Sequence, residues 1–222
     1  MTLSILCVTN GKPYSGRFIE QMYADAHEIG ATMVLGLDGE TAQNAGYPCD
    51  RSINLETTGV LEDVHDKAVE FCSTDWVLRV DDDERISPAL LRWLKDGGYI
   101  KAKYALYAFP RVYMWDDDKH ILTNDGMWPD LQTRLGLKQF MFGYTYVHAG
   151  NPNGTGAIAP YALEHHNLLV KSRSEREAIA KLYESKQPGA GTLPQYAKYN
   201  LPETFFDVIE TKEYKDGNYA AS

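Results

Sequence analysis

The chain is poor in several things, and each shortage narrows what it can be. No apolar run approaches the ~20 residues that a membrane span needs. The opening "MTLSILCVTNGK" carries no basic leader or cleavage site, so a cytoplasmic protein is expected. Cysteine is scarce: Cys7, Cys49 and Cys72 are odd in number and lack metal-ligand spacing. Cys7 and Cys72 lie in apolar segments and read as small core residues of a reducing compartment. Positive charge is short too, with 22 Lys and Arg against 31 Asp and Glu, a formal net charge of -9. That balance argues against a broad nucleic-acid or anionic-membrane surface. Internal repeats and low-complexity blocks are missing. What remains is an ordinary globular composition, 44% hydrophobic and 24% charged, over 222 residues, which suits one domain. Fifteen tyrosines hint at a cleft that handles sugars or bases.

Hydrophobic periodicity predicts a βαβ…αβ first half. Residues 3–9 form a buried strand ending at "TNG", and Phe18, Ile19, Met22, Tyr23, Ala26 and Ile29 recur at helical spacing. Ser15 is the expected cap of that helix and Gly30 its stop. A second strand closes at Asp38-Gly39, and a short third is expected at 52–55. A second helix is expected over about 60–72 behind Thr58. "WVLRV" is the next strand, and Ser87 with Pro88 opens the helix after it. Apolar strands of this kind suggest a mostly parallel sheet covered on both faces. After Gly98 the pattern turns β-rich, with strand-like pieces at "YALYAFPRVYMW", "LQTRLGL", "YTYVHAG" and "YALEHHNLLV". A helix follows at "SEREAIAKLYES", capped by Ser172 or Ser174, and then a Gly/Pro-rich surface crossing.

The cluster Asp81-Asp82-Asp83-Glu84 stands between the apolar strand and the capped helix. Most acidic runs are solvated loops. This one has no spacer in which its charges could wander, and ligands of α/β sheets bind at the carboxyl ends of strands. Alternate acids there can aim at one hard cation, which can bridge a diphosphate.

"WVLRVDDDERISPALLRW" resembles the strand–DxD–helix signature of GT-A glycosyltransferases of the family 2 type. Asp81 and Asp83 match the two aspartates, with Glu84 and Arg85 after them. "WPDLQTRLGLK" resembles the family's "PDxQxRLF" segment, and "EHHNLLVKSRSERE" its His-containing strand with a basic helix start. The match spans roughly residues 3–184. Asp82 departs from the usual small residue, and "VHDKA" replaces a frequent Arg-Asn pair. The resemblance implies a GT-A fold, a nucleotide-sugar-binding half at 1–98, a β-rich acceptor-side half at 99–185 and a C-terminal extension at 186–222. It implies metal-dependent, inverting transfer of a sugar from a nucleotide diphosphate, most commonly a UDP-sugar, to an acceptor hydroxyl. A saccharide, lipid-linked glycan, protein or modified base could carry that hydroxyl.

Within that reading, Asp83 holds Mn²⁺ or Mg²⁺, and Asp81 helps through ribose or water. Asp82, Thr9, Asn10 and Asp38 face the nucleoside, although Asn-Gly and Asp-Gly are equally ordinary turn pairs. Neighbouring strand residues point to opposite faces, so at most one of His165 and His166 reaches the cation. Lys171 and Arg173 are placed to meet phosphate. Asp130 is the expected base for the acceptor proton and Asp125 its runner-up. Arg134 pairs either with a site acid or with a surface carboxylate. "WDDD" at 115–118 reads as an exposed hairpin tip. The alternatives are a non-catalytic sugar-nucleotide-binding module and a nucleotidyltransferase. The latter is expected to carry a denser glycine cradle than "TNGKPYSGR". A receiver domain would put its acid pair after the first strand, and a glycoside hydrolase would not need three consecutive aspartates.

Overall fold

The computed structural model describes residues 1–56, 59–115, 117–123, 127–143, 156–192 and 211–214. Its first half alternates as expected: β1 (Leu3–Thr9), α1 (Ser15–Ile29), β2 (Thr32–Asp38), α2 (Gly39–Gln43), β3 (Arg51–Leu55), α3 (Glu62–Phe71) and β4 (Trp76–Arg79). The acidic loop leads into β5 (Glu84–Ile86), followed by α4 (Pro88–Lys95) and α5 (Gly98–Lys101). The second half contains β6 (Leu106–Tyr113), β7 (His120–Leu122), β8 (Asp130–Leu137), β9 (Ala157–Ile158) and β10 (Leu163–His165). After these come α6 (Asn167–Val170), α7 (Arg173–Lys186) and β11 (Thr211–Glu213).

One nine-stranded sheet runs through both halves in the order β3-β2-β1-β4-β8-β6-β10-β5, with β9 beside β6. Five of its eight pairings are parallel. A two-stranded ribbon of β7 and β11 stands apart. The alternation along β1 explains why both faces are covered. Leu3, Ile5 and Cys7 join Phe18, Ile19 and Met22 of α1 and Leu90 and Leu94 of α4 in one cluster. Leu6, one residue out of phase, joins Val64, Ala68 and Val69 of α3 in another. Burying a strand on both sides needs an unbroken apolar run, which is what 3–8 supplies apart from Ser4.

Local chemistry sets most boundaries. Ser87 accepts from the Leu90 N–H at 3.3 Å, and Pro88 sits where a helix needs no donor. Gly30 takes the left-handed conformation at φ 70° and closes α1 with bonds to Ala26 and His27. Ser172 and Glu175 form a reciprocal capping box at α7, so Ser172 is the cap and not Ser174.

Three expectations shift. Ser15 is the first residue of α1, not a side-chain cap, because its hydroxyl is drawn to Asp82. α3 begins at Glu62, two residues later than its apolar pattern suggests. "EHHNLLV" leaves the strand at His165 and turns helical, with Val170 N–H bonding His166 O and Lys171 N–H bonding Asn167 O. Thr58, Asp125 and the strand expected at 144–150 lie outside the described residues.

Candidate active site

Strand direction gathers the site. β1 and β4 are parallel neighbours, β8 runs against β4, and β6 and β10 run against β8. The carboxyl ends of β1, β4, β6 and β10 and the start of β8 therefore meet at one rim. A cleft of about 520 Å³ opens there, walled on the far side by α7 and by the loop before α3. Thr9, Asn10, Asp38, the three aspartates, His165 and Lys171 all line it.

The three aspartates have three different sets of partners. Arg134 grips Asp81 with a two-pronged bond, Nη1 to Oδ1 at 2.9 Å and Nη2 to Oδ2 at 2.6 Å. Arg79 Nε stands 3.7 Å from the same carboxylate. Burial would raise this carboxyl, but the two guanidiniums hold it well below the usual range. Asp82 instead accepts two hydroxyls on Oδ2, from Thr9 and from Ser15, each at 2.6 Å. Burial and the neighbouring Asp83 charge push it up to about 6. These bonds tie the acidic loop to the end of β1 and the start of α1. Gly11 lets the intervening loop pass close to α2. It has φ 76°, and a Cβ there would lie 2.7 Å from the Ala42 nitrogen.

Asp83 is buried, with Lys171 Nζ bonded to Oδ2 and His165 Nε2 at 3.4 Å from Oδ1. Burial alone would raise Asp83, yet the ammonium and imidazole keep it well below the carboxylate range. Lys171 is correspondingly raised despite its burial, while burial lowers His165. Glu84 lies beneath the cleft, fully buried, and accepts from Arg134 at 2.9 Å and Arg111 at 3.5 Å. Arg111 in turn holds Asp130, with Nε at 2.8 Å and Nη2 at 2.6 Å from Oδ2. A chain of alternating charge thus runs Asp81–Arg134–Glu84–Arg111–Asp130. Each buried acid in it has a guanidinium partner, as burial of charge requires.

The remaining predicted residues fall in different places. His166 turns away from the cleft, its ring 5.4 Å from that of Phe18 and Nδ1 3.4 Å from Asp118. Arg173 is outside the cleft lining and pairs with Glu177 one turn along α7, while Arg176 faces in. Asp130 also lies outside the lining. Its carboxylate accepts from Arg111, from the Tyr113 hydroxyl at 2.9 Å and from Gln132 at 2.6 Å. Sequence reasoning overlooked Lys12, Tyr14, Arg111, Arg176 and Tyr183, all of which line the cleft. β6 is buried on both faces and does not alternate, so its pattern does not single out Arg111. The residues contributed by α7 have no signal either, because nothing local says that helix crosses the rim.

Among the described residues no group of three or more His, Cys, Asp or Glu side chains is placed to hold a metal ion. Asp83 and His165 nevertheless converge as an oxygen and a nitrogen donor. Such a mixed pair would suit Mn²⁺ better than Mg²⁺, which prefers oxygen donors throughout.

No protein-family model matches the chain, and no curated protein does either. Solved structures do resemble it. S. aureus TarS 1-349 in complex with UDP-GlcNAc is 12% identical, with a TM-score of 0.54, over 93% of this chain and 73% of that one. The chain spans 44% of the longer S. aureus TarS structure. Rv0371c of Mycobacterium tuberculosis H37Rv, solved with manganese, is 13% identical, with a TM-score of 0.51, over 81% of this chain and 97% of that one. At such identities the likeness is one of fold, and the fold is a GT-A-like mixed α/β sheet.

Proposed function

We propose that the chain is a metal-dependent glycosyltransferase that takes a sugar from a nucleotide diphosphate, in the first instance a UDP-sugar, and passes it with inversion to an acceptor hydroxyl. The observation that carries this reading is Asp83. It is a buried carboxylate at the carboxyl end of a parallel strand, facing a cleft, with a lysine and a histidine as its partners. The likeness in fold to S. aureus TarS, solved in complex with UDP and with UDP-GlcNAc, supports it.

In this reading Asp83 and His165 hold Mn²⁺ or Mg²⁺, which supplies positive charge to the leaving diphosphate. Lys171 and Arg176, at the start of α7, add their own charge to the same phosphates. Asp81 accepts ribose hydroxyls. Thr9, Asn10 and Asp38 form the nucleoside end, with Asp82 holding Thr9 in place. Asp130 is placed less well for a base than its sequence suggests. It is ionised and held low by Arg111, Gln132 and Tyr113, against the raising effect of burial. Arg111 and Tyr113 crowd its Oδ2 and Gln132 bonds its Oδ1, so its role in this proposal is to orient Arg111 toward the cleft.

Calorimetry with UDP, UDP-sugars and GDP, in Mn²⁺ and then in EDTA, tests the proposal, followed by assay of free nucleotide release. Metal-dependent affinity for a nucleoside diphosphate and slow release of nucleotide from its sugar are expected. Absence of any nucleotide binding would overturn it. Pyrophosphate release from a nucleoside triphosphate and a sugar phosphate would move the assignment to nucleotidyl transfer.

A further inference from the structure

Asn167 stands two residues beyond His165, as the first residue of α6, and lines the same cleft. It is 8% exposed, and its Oδ1 is buried without a hydrogen-bond partner. The usual reason for an asparagine at a helix start does not apply here. His166 holds the cap position with no side-chain bond, and the Lys171 N–H goes to the main-chain carbonyl of Asn167, not to its side chain. A buried amide oxygen that bonds to nothing is destabilising compared with an apolar side chain of the same size, so its presence points to a ligand that supplies the partner.

The chemistry of the amide narrows that ligand. Lys171 and Arg176, further along the same wall, only donate and so suit phosphate oxygens, which only accept. An amide carries an acceptor as well as donors, and a phosphate would leave Oδ1 as unpaired as it is now. A hydroxyl both donates and accepts. It satisfies the amide whichever way the broad χ2 torsion turns it. Sheet order supplies the place. β2 and β1 carry the proposed nucleoside end, the Asp83 loop follows β4, and β10 with α6 lies beyond β8 and β6. A nucleotide sugar laid along that rim presents its sugar last, on the α6 side.

We propose that Asn167 is a specificity residue that hydrogen-bonds a ring hydroxyl of the sugar beyond the diphosphate. The inference rests on the nucleotide-sugar reading and adds a contact that UDP alone cannot make.

The test is calorimetry on the full chain in Mn²⁺, with UDP and with whichever of UDP-glucose, UDP-galactose and UDP-GlcNAc the wild type binds most tightly. Asn167→Leu keeps the volume and removes the hydrogen bond. It leaves UDP affinity within about twofold and weakens the UDP-sugar by about tenfold. Its urea midpoint does not fall below that of the wild type, because no side-chain bond within the protein is lost. Asn167→Asp keeps an acceptor, and its charge weakens both nucleotides alike, so the ratio of the two affinities stays nearer the wild-type value than in Asn167→Leu. If Asn167→Leu does not fold, Asn167→Ala is read in the same way. Equal losses of UDP and UDP-sugar affinity in the apolar variant overturn the inference in favour of a phosphate contact. Unchanged affinity for both overturns it as well, and leaves the amide a structural group. A wild type that binds neither nucleotide overturns the proposed function and this inference together, whereas a wild type that binds both, with a ratio the variants do not alter, overturns this inference alone.

Discussion

Lys171 and Asp83, 88 residues apart, are joined by an ion pair that brings the start of α7 onto the end of β4. A lysine in that place neutralises a buried acid, and under the proposed function a divalent cation would take over that part. Removing the acid removes the reason for both.

Asp83→Ala therefore abolishes the metal-dependent part of nucleotide affinity. The loss exceeds the ~10–100-fold that follows from disturbing a supporting contact of a metal ligand. Calorimetry with UDP in Mn²⁺ and in EDTA measures it. Unchanged affinity with unchanged metal dependence would remove the basis of the proposed function.

The two histidines separate by readout. His165→Ala weakens Mn²⁺-dependent UDP affinity, because its Nε2 faces Asp83 at 3.4 Å. His166→Ala leaves that affinity intact and lowers stability by about 1–3 kcal/mol, because its ring is buried beside Phe18. Urea unfolding and the same titration on both variants decide the matter, and equal effects on metal affinity contradict the assignment.

For Asp130→Asn, UDP affinity and transfer rate are to be measured on the same folded protein. A residue that orients Arg111 slows transfer by less than the ~10²-fold that loss of a general base costs, and it weakens donor binding as well. A slowing of ~10²-fold or more with donor affinity preserved would instead make Asp130 the base.

His65 sets an acid limit on stability. It is fully buried in α3, and burial together with the Arg79 charge lowers its pKa from 6.5 to about 4. The unfolded chain takes up this proton first, so the folded state loses stability as pH falls from 6.5 toward 4, with no further loss below. At about 1.4 kcal/mol per unit, the whole contribution is on the order of 3 kcal/mol. His65→Gln flattens the stability profile across that window. Comparing variant with wild type isolates His65 from Asp82, whose raised carboxyl titrates nearby with the opposite sign. A slope unchanged by the substitution would refute the assignment.

Much of the architecture can be read from short stretches, since its determinants are local. The helical spacing of Phe18, Ile19, Met22 and Ala26 marks α1, the left-handed Gly30 ends it, and Ser87-Pro88 opens α4. The apolar run into three aspartates marks the end of β4. Steric preference, hydrogen bonding within one turn and burial of one face act over a few residues, so sequence order alone records them. The jobs of the aspartates depend on something else. Glu84 and His165 are register partners on β5 and β10, Arg134 reaches Asp81 across the β4–β8 pairing, and α7 brings Lys171 to Asp83. Those distances follow from the order and direction of strands far apart in the chain. The same order gave Ser15 to Asp82 instead of to its own helix, and put His165 in the cleft with His166 behind it. Which residue types could serve was written locally. Which charge stands against which acid was decided by the sheet.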